Sequence, residues 1–256
     1  MSSVYEALQR ARRSGNAPIR RVVGSRGAVP LRRSPSRERE VARSPVTLAP
    51  GPLAAELGSL LAAVRPLLDG DGGAVLQVVA ATQGEGTSTI AREFALLAAT
   101  SGQRRTLLID ADRQNPQTAR SFNCDTGRGL VELPWDSSDV SSVAQPIAGT
   151  LLSVACLIGA RGPARTDATT VSDLYNRLRD EFELVVVDCP SVASGEYLEL
   201  APDGADGVIL IVQAETTRPA VVAHAKGQVE QAGGNLLGAV LNWRGDYIPD
   251  FLYRML

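Results

Sequence analysis

The feature that most constrains the fold is an alternation, from residue 75 to residue 242, of short apolar runs with segments of helical pattern. The runs are rich in β-branched residues and lack polar alternation, which is typical of strands buried on both faces. Consecutive parallel strands need a crossover connection, usually a helix. The sequence therefore predicts an α/β fold in which a mostly parallel sheet carries helices on both faces. Predicted strands lie at 75–82, 105–112, 150–158, 184–190, 207–214 and 236–242, and predicted helices at 53–68, 87–100, 171–181, 195–200 and 219–231.

Three parts of the chain differ in composition. Residues 1–14 place apolar side chains at helical spacing, which predicts a short amphipathic helix that needs a surface to dock on. Residues 15–52 are rich in Arg, Ser, Pro and Gly and are interpreted as a flexible basic linker. Attraction of this linker to anionic lipid or nucleic acid is the alternative to a simple tether, and no nucleic-acid partner is expected. Residues 53–256 form the predicted α/β domain.

Charge, hydropathy and cysteine content narrow the class of protein. The first 50 residues hold 11 arginines and three glutamates, whereas the whole chain has a net charge of -2. No apolar run approaches the roughly 20 residues needed to cross a bilayer, and the beginning lacks the apolar segment of a secretory signal. Three scattered cysteines do not indicate a disulfide framework. We therefore expect a cytoplasmic protein that is peripheral at the inner face of the cell membrane through a partner.

A glycine-rich loop joins the first predicted strand of the sheet to a helix. Residues 81–88 align with the G-x-x-x-x-G-K-[ST] frame of a phosphate-binding loop, with Ala81 at the first glycine, Gly86 at the second and Ser88 at the hydroxyl that binds magnesium. Backbone N–H groups of Gly84 to Ser88 are expected to face a β-phosphate. The position of the lysine is occupied by Thr87, and a hydroxyl cannot supply a cation. On this loop alone, a structural glycine turn is the alternative to a nucleotide site.

Three aspartates favour the nucleotide site. Asp110 and Asp112 lie at the end of the next predicted strand, and Asp188 ends a strand of four apolar residues. Ligands of open parallel sheets bind at the carboxyl ends of the strands, where all these residues are expected to lie. The sequence predicts a magnesium site at Ser88, Asp110 and Asp188. Asp110 and Asp112 are the predicted catalytic residues if the protein is active.

These motifs together resemble the cytoplasmic bacterial tyrosine autokinases that accompany polysaccharide chain-length regulators, which are related to partitioning and division-site ATPases. The resemblance implies a P-loop NTPase-like fold, binding of ATP or ADP with Mg²⁺, and a partner that is the cytoplasmic segment of a membrane chain-length regulator or export complex. It implies nucleotide contacts by Gly84, Glu85, Gly86, Thr87, Ser88 and Thr89, with Asn242 at the base. Arg113 is also expected to contact the phosphates, because it follows Asp112. The matching segments are QGEGTST, LLIDAD, VVDCPS, ADGVILIV, LLGAVLN and the opening MSSVYEALQRA.

The departures from that family point in one direction. Thr87 replaces the loop lysine, and Glu56 is followed by Ser59 and Ala62 where the family's self-association motif has two arginines. The end of the chain carries only two tyrosines, Tyr247 and Tyr253, instead of a tyrosine cluster. We therefore predict a non-catalytic or weakly catalytic regulator of exopolysaccharide biosynthesis and export.

Two other functions stay open at this point. The first is an active tyrosine autokinase in which Arg113, or a charge from a partner, replaces the lysine. The second is a positioning ATPase of the partitioning kind. Arg92 is predicted to face outward, and Arg104 and Arg105 to lie at the far end of their strand. Trp243, after the last strand, is predicted to make a core or partner contact.

Overall fold

The computed structural model of the protein describes residues 52–68, 72–134 and 140–243. The predicted docking helix at residues 1–14, almost all of the predicted linker, and the last 13 residues lie outside the described residues. Within them, the predicted α/β architecture is confirmed. None of the helices in these ranges is both long enough and apolar enough to cross a bilayer.

The described residues form seven strands in one sheet and five α-helices. The sheet has the order β3-β4-β2-β5-β1-β6-β7, and every pairing is parallel except that of the short β3 with β4. The strands are β1 (Ala74–Ala80), β2 (Thr106–Asp110), β3 (Gln145–Pro146), β4 (Leu152–Cys156), β5 (Leu184–Asp188), β6 (Gly207–Gln213) and β7 (Leu236–Asn242). The helices are α1 (Pro52–Leu68), α2 (Thr87–Thr100), α3 (Gln117–Ser121), α4 (Ala168–Glu181) and α5 (Pro219–Gln231).

The core consists of two apolar layers, one on each face of the sheet. Because successive side chains of a strand point to opposite faces, Val75 and Val79 of β1 belong to one layer and Leu76 and Val78 to the other. The first layer is closed by α4 and α5, and the second by α1 and α2. Burial on both faces explains why the strands read as continuous apolar runs.

The strands are shorter than their apolar runs predicted, and this difference positions the site. The predicted strand 105–112 ends at Asp110, and the predicted strand 184–190 ends at Asp188. These two residues are direct neighbours in the parallel register of β2 and β5. The residues that follow leave the sheet at the same edge and form the loops around the site.

Some elements were predicted inaccurately or missed. The predicted helix at 195–200 is a 3-10 helix, Glu196–Leu200, and the helix predicted at 171–181 begins earlier, at Ala168, because Asp167 caps it by accepting a hydrogen bond from the N–H of Thr170 at 2.9 Å. The short elements α3 and β3 were not predicted, since neither is long enough to show a hydrophobic period.

Candidate functional site

The glycine loop lies between β1 and α2, as predicted, and its conformation requires glycine. Gly84 and Gly86 have φ angles of 91° and 90°, in the left-handed region that other residues avoid. A side-chain carbon at Gly86 would also lie 2.3 Å from the Nδ2 of Asn242. The first helical hydrogen bond runs from the N–H of Ile90 to the carbonyl of Gly86 at 3.0 Å. The N–H groups of residues 86–89 therefore have no partner within the helix and form an anion-binding helix start.

The side chain of Glu85 holds this loop in place. It is 2% exposed, and its carboxylate accepts hydrogen bonds from the N–H of Thr82 at 2.9 Å and the N–H of Gln213 at 3.2 Å. It also accepts one from the hydroxyl of Thr217. The carboxylate thus ties the loop to the end of β6, so a nucleotide contact at this residue falls to its backbone N–H rather than its side chain.

Asp110 and Asp188 form a buried pair beside the loop, with exposed fractions of 2% and 3%. Asp110 accepts hydrogen bonds from the N–H groups of Asp112 at 3.1 Å and Ala119 at 2.9 Å. Asp188 accepts one from the Thr118 hydroxyl at 2.5 Å and another from the hydroxyl of Ser88. The structure therefore brings all three predicted magnesium ligands together, with Ser88 in contact with one carboxylate and the other carboxylate adjacent.

Burial dominates the ionisation of this pair. It raises the pKa of Asp110 to about 7, with a further rise from the charge of Asp188. It raises the pKa of Asp188 to about 6, against the lowering effect of the hydrogen bonds from Thr118 and Ser88. Near neutral pH Asp110 is therefore partly protonated, and a nearby cation would favour its ionised form.

The donor set fits magnesium better than a metal held by protein ligands alone. No group of three or more His, Cys, Asp and Glu side chains in the described ranges is arranged to hold a metal. Two carboxylates and a hydroxyl next to a phosphate loop are the ligands that Mg²⁺ uses when phosphate oxygens and water complete its shell. Ser88, Asp110 and Asp188 are thus the residues that would hold it.

The loop after β2 contains the other predicted catalytic residue and the predicted substitute cation. Asp112 is half-buried and accepts a hydrogen bond from the N–H of Asn115 at 2.9 Å, which stabilises the turn. Arg113 follows it, and its buried Nε has no hydrogen-bond partner in the structure. An unsatisfied guanidinium donor beside the carboxyl edge of the sheet is available to an anion.

The placement of the other arginines is partly as predicted. Arg104 and Arg105 lie at the far end of β2, where both pair with Glu183. The prediction that Arg92 faces outward is wrong. Its side chain is one-third exposed, forms an ion pair with Glu93 at 3.2 Å, and is among the charges that lower the pKa of Asp188. It lies one helical turn after Ser88, so both face the carboxylate pair.

The end of β7 closes over the start of α2. Asn242 donates from its Nδ2 to the carbonyl of Glu85 at 2.9 Å and accepts at its Oδ1 from the N–H of Trp243 at 3.0 Å. The predicted base-binding residue is therefore next to the loop, but both ends of its amide already have partners. Trp243 is 66% exposed, so the prediction of a core contact is wrong.

The sequence is similar to those of known bacterial proteins. No protein-family model matches the chain. The tyrosine-protein kinase CpsD of Streptococcus agalactiae is 28% identical over 173 residues, which cover 66% of this chain and 73% of that protein. The succinoglycan biosynthesis transport protein ExoP of Rhizobium meliloti is 28% identical over 181 residues, 69% of this chain and 23% of ExoP.

The fold is similar to those of solved tyrosine kinase domains. The BceF tyrosine kinase domain is 25% identical, with a TM-score of 0.60 over 73% of this chain and 76% of that domain. The chain is thus similar to bacterial tyrosine kinases, and it has the P-loop ATPase type of fold. The kinase domain of Escherichia coli ETK, 19% identical, has a TM-score of 0.63 over 77% of this chain and 78% of that domain, which confirms the fold alone.

The residue at the position that carries lysine in the phosphate-loop motif lies inside the site. Thr87 is 9% exposed and is the first residue of α2. Its side chain carries no charge, so the charged groups identified beside the phosphate position are the carboxylates Asp110 and Asp188 and the guanidinium of Arg92, with Arg113 in the loop after β2. At position 87 the loop therefore offers a hydroxyl group instead of a positive charge.

One residue of the candidate site was missed by sequence reasoning. Thr118 of α3 is 2% exposed and donates a hydrogen bond of 2.5 Å to Asp188, while the N–H of the next residue, Ala119, donates to Asp110. Both members of the pair are therefore positioned by α3. The only available signal was a threonine shortly after the aspartates, which is too common to identify such a role.

Proposed function

We propose that this protein is a nucleotide-binding regulator of bacterial polysaccharide biosynthesis that transfers phosphate weakly or not at all. The observation that carries the proposal is the combination of an intact phosphate loop and carboxylate pair with Thr87 at the lysine position. The groups that would bind phosphate and magnesium are present, whereas the lysine that would stabilise phosphate transfer is replaced by Thr87.

During phosphoryl transfer, negative charge develops on the group that is transferred. Backbone N–H groups and magnesium hold the β-phosphate in both the ground state and the transition state, whereas the lysine neutralises charge that moves onto the transferring group. Loss of one such stabilising group costs about 10²- to 10³-fold in turnover. We therefore infer that ATP or ADP binds with magnesium and that turnover is low.

The pathway follows from the relatives. CpsD is a tyrosine-protein kinase and ExoP is a succinoglycan biosynthesis transport protein. We infer that this chain acts in polysaccharide biosynthesis and export through the cytoplasmic segment of a membrane chain-length or export protein. Residues 1–14 are the proposed docking element. Co-purification of that membrane protein with the full chain, and its loss when residues 1–14 are deleted, would support this assignment; retention after deletion would contradict it.

The catalytic part is tested by restoring the charge. Purified full-length protein and the Thr87→Lys and Thr87→Met variants are incubated with radiolabelled Mg·ATP, and phosphotyrosine is measured over time. Methionine has about the length of lysine without its charge, so it controls for the size of the side chain. We expect labelling to rise about 10²-fold or more in Thr87→Lys only. Tyrosine labelling by the unmodified protein that the lysine does not increase would refute the proposal.

An active kinase is the second candidate, favoured by the buried Nε of Arg113 that has no hydrogen-bond partner. If Arg113 supplies the missing charge, the unmodified protein labels its own tyrosines and Arg113→Gln abolishes labelling. Arg105→Gln is the matched control, since Arg105 lies at the opposite end of β2 and its side chain is 63% exposed. Equal labelling by all three proteins would exclude a role for Arg113.

A further inference from the structure

We propose that the indole ring of Trp243 is the platform on which the base of a bound nucleotide stacks. This inference rests on the proposed nucleotide binding and names a residue that specifies the base end of the ligand. The ligand class is a nucleoside di- or triphosphate whose phosphates lie on the glycine loop.

The indole ring of Trp243 lies beside the phosphate loop. The Nε1 of Trp243 lies 3.6 Å from the point that a side-chain carbon at Gly86 would occupy, so one edge of the indole borders the start of α2. At the same time 66% of the residue is exposed, the largest fraction among the large apolar side chains of the described ranges. A broad aromatic face is thus open to solvent within reach of the phosphate loop, where a base attached to those phosphates would lie.

The backbone of Trp243 is held in a strained conformation. Trp243 has a φ of 61°, a left-handed conformation that is unfavourable for a bulky residue. Asn242 fixes this conformation, because its Oδ1 accepts the N–H of Trp243 at 3.0 Å while its Nδ2 donates to the carbonyl of Glu85 at 2.9 Å. One side chain therefore ties the tryptophan to the loop. Strained residues of this kind concentrate at ligand sites, where the surrounding structure holds them in place.

The chemistry of the ring fits a nucleobase. An aromatic face stacks on the flat face of any base, and this stacking contributes about 5- to 150-fold in affinity for each base. Such a contact adds nothing to the binding of the phosphates alone. The separation between base and phosphate contributions is what makes the proposal testable.

The experiment compares a ligand that has a base with one that does not. Binding of Mg·ADP and of Mg·pyrophosphate to the full-length protein is measured by calorimetry for the unmodified chain, Trp243→Ala and Trp243→Phe. We expect Trp243→Ala to weaken ADP binding about 5- to 150-fold and to leave pyrophosphate binding unchanged, while Trp243→Phe retains most of the ADP affinity. Leu241→Ala is the matched control, since Leu241 is an exposed apolar residue two positions earlier, and it should change neither affinity.

Two other results would refute the stacking of the base on Trp243. Unchanged ADP affinity in Trp243→Ala shows that the base does not use the ring, and an equal loss of ADP and pyrophosphate shows that the ring supports the loop instead. The same variants are also made in the Thr87→Lys background, in which the charge of the loop is restored. If neither background binds ADP, both the platform and the nucleotide binding of the proposed function fail. If ADP binds without dependence on Trp243, only the platform fails.

Discussion

Replacing Asp110 by asparagine removes the ionisable group whose pKa burial raises most clearly at the site. In the unfolded chain the carboxyl has its ordinary pKa of 3.8, and in the folded protein burial and the charge of Asp188 raise it to about 7. At pH values below the first of these the group is protonated in both states and costs nothing. As pH rises toward the second, the unfolded chain ionises while the folded protein does not, so stability is lost progressively.

The size of this loss follows from the two pKa values. Each unit of difference corresponds to about 1.4 kcal/mol, so the complete cost above neutral pH is about 4 kcal/mol. Asparagine cannot ionise, but its amide nitrogen would meet one of the two N–H donors, those of Asp112 and Ala119, that the carboxylate accepts. That mismatch costs about 1–3 kcal/mol at every pH. Asp110→Asn should therefore be less stable than the unmodified protein in acid and more stable in mild alkali.

The assay is urea denaturation at several pH values between about 4 and about 8, with EDTA and without nucleotide, so that no cation favours the ionised carboxylate. The difference in the free energy of unfolding between variant and unmodified protein should change sign across this range. Asp173→Asn, at an exposed position of α4, is the control and should show no such change. A difference for Asp110→Asn that stays constant with pH would refute the argument that burial governs this group.

Two further predictions concern the loop and the core beneath it. Gly86→Ala places a carbon 2.3 Å from the Nδ2 of Asn242 at a φ of 90°. We therefore expect the free energy of unfolding in urea to fall by about 1–3 kcal/mol and Mg·ADP to bind more weakly. Gly227→Ala meets nothing within 4 Å and should be neutral or stabilising. Equal effects of the two changes would contradict the steric argument. Tyr197→Phe removes the donor, at 2.9 Å, to the buried Oε1 of Gln77 and should lower stability by about 1–3 kcal/mol, seen as a lower Tm; an unchanged Tm would show that this hydrogen bond contributes nothing.

The fold could be predicted from the sequence because burial on both faces leaves a strong local signal. The helix at 87–100, the helix at 219–231 and the strand at 236–242 have the predicted bounds. The predicted strands differ from the structure mainly at their ends, since they include Asp112 and Pro190, which already belong to loops. Apolar content marks the interior of a strand, but the last ladder hydrogen bond depends on the neighbouring strand, which local sequence does not specify.

That the three predicted magnesium ligands lie close together was predictable, but their contacts were not. Ser88, Asp110 and Asp188 were identified by motif, and parallel topology is enough to bring them to one edge. The bonds that position them join distant parts of the chain: Glu85 reaches Thr217, 132 residues away, and Thr118 reaches Asp188, 70 residues away. No local pattern encodes such pairs.

Arg92 was the avoidable error in the site prediction. It follows Ser88 by four residues on a predicted helix, and side chains at that spacing share a helix face. If the hydroxyl faces the carboxylates, the arginine lies on the same side of the helix, and its charge does lower the pKa of Asp188. The spacing was therefore a sufficient signal, whereas helix position alone does not tell inside from outside.

The buried carboxylates bear on whether a nucleotide still binds here. Two aspartates with raised pKa values make the folded state less stable at neutral pH, by the amount that asparagine at either position would partly recover. A bound divalent cation would favour the ionised forms and so offset this cost, and its binding would stabilise the folded state by mass action. Thr87 does not alter that exchange, because the lysine it replaces acts on charge that develops at the transferring phosphoryl group. Substitution at position 87 should therefore change turnover far more than nucleotide affinity, and the ratio of these two effects, measured on Thr87→Lys, separates a regulator that binds nucleotide from a kinase with a different cation.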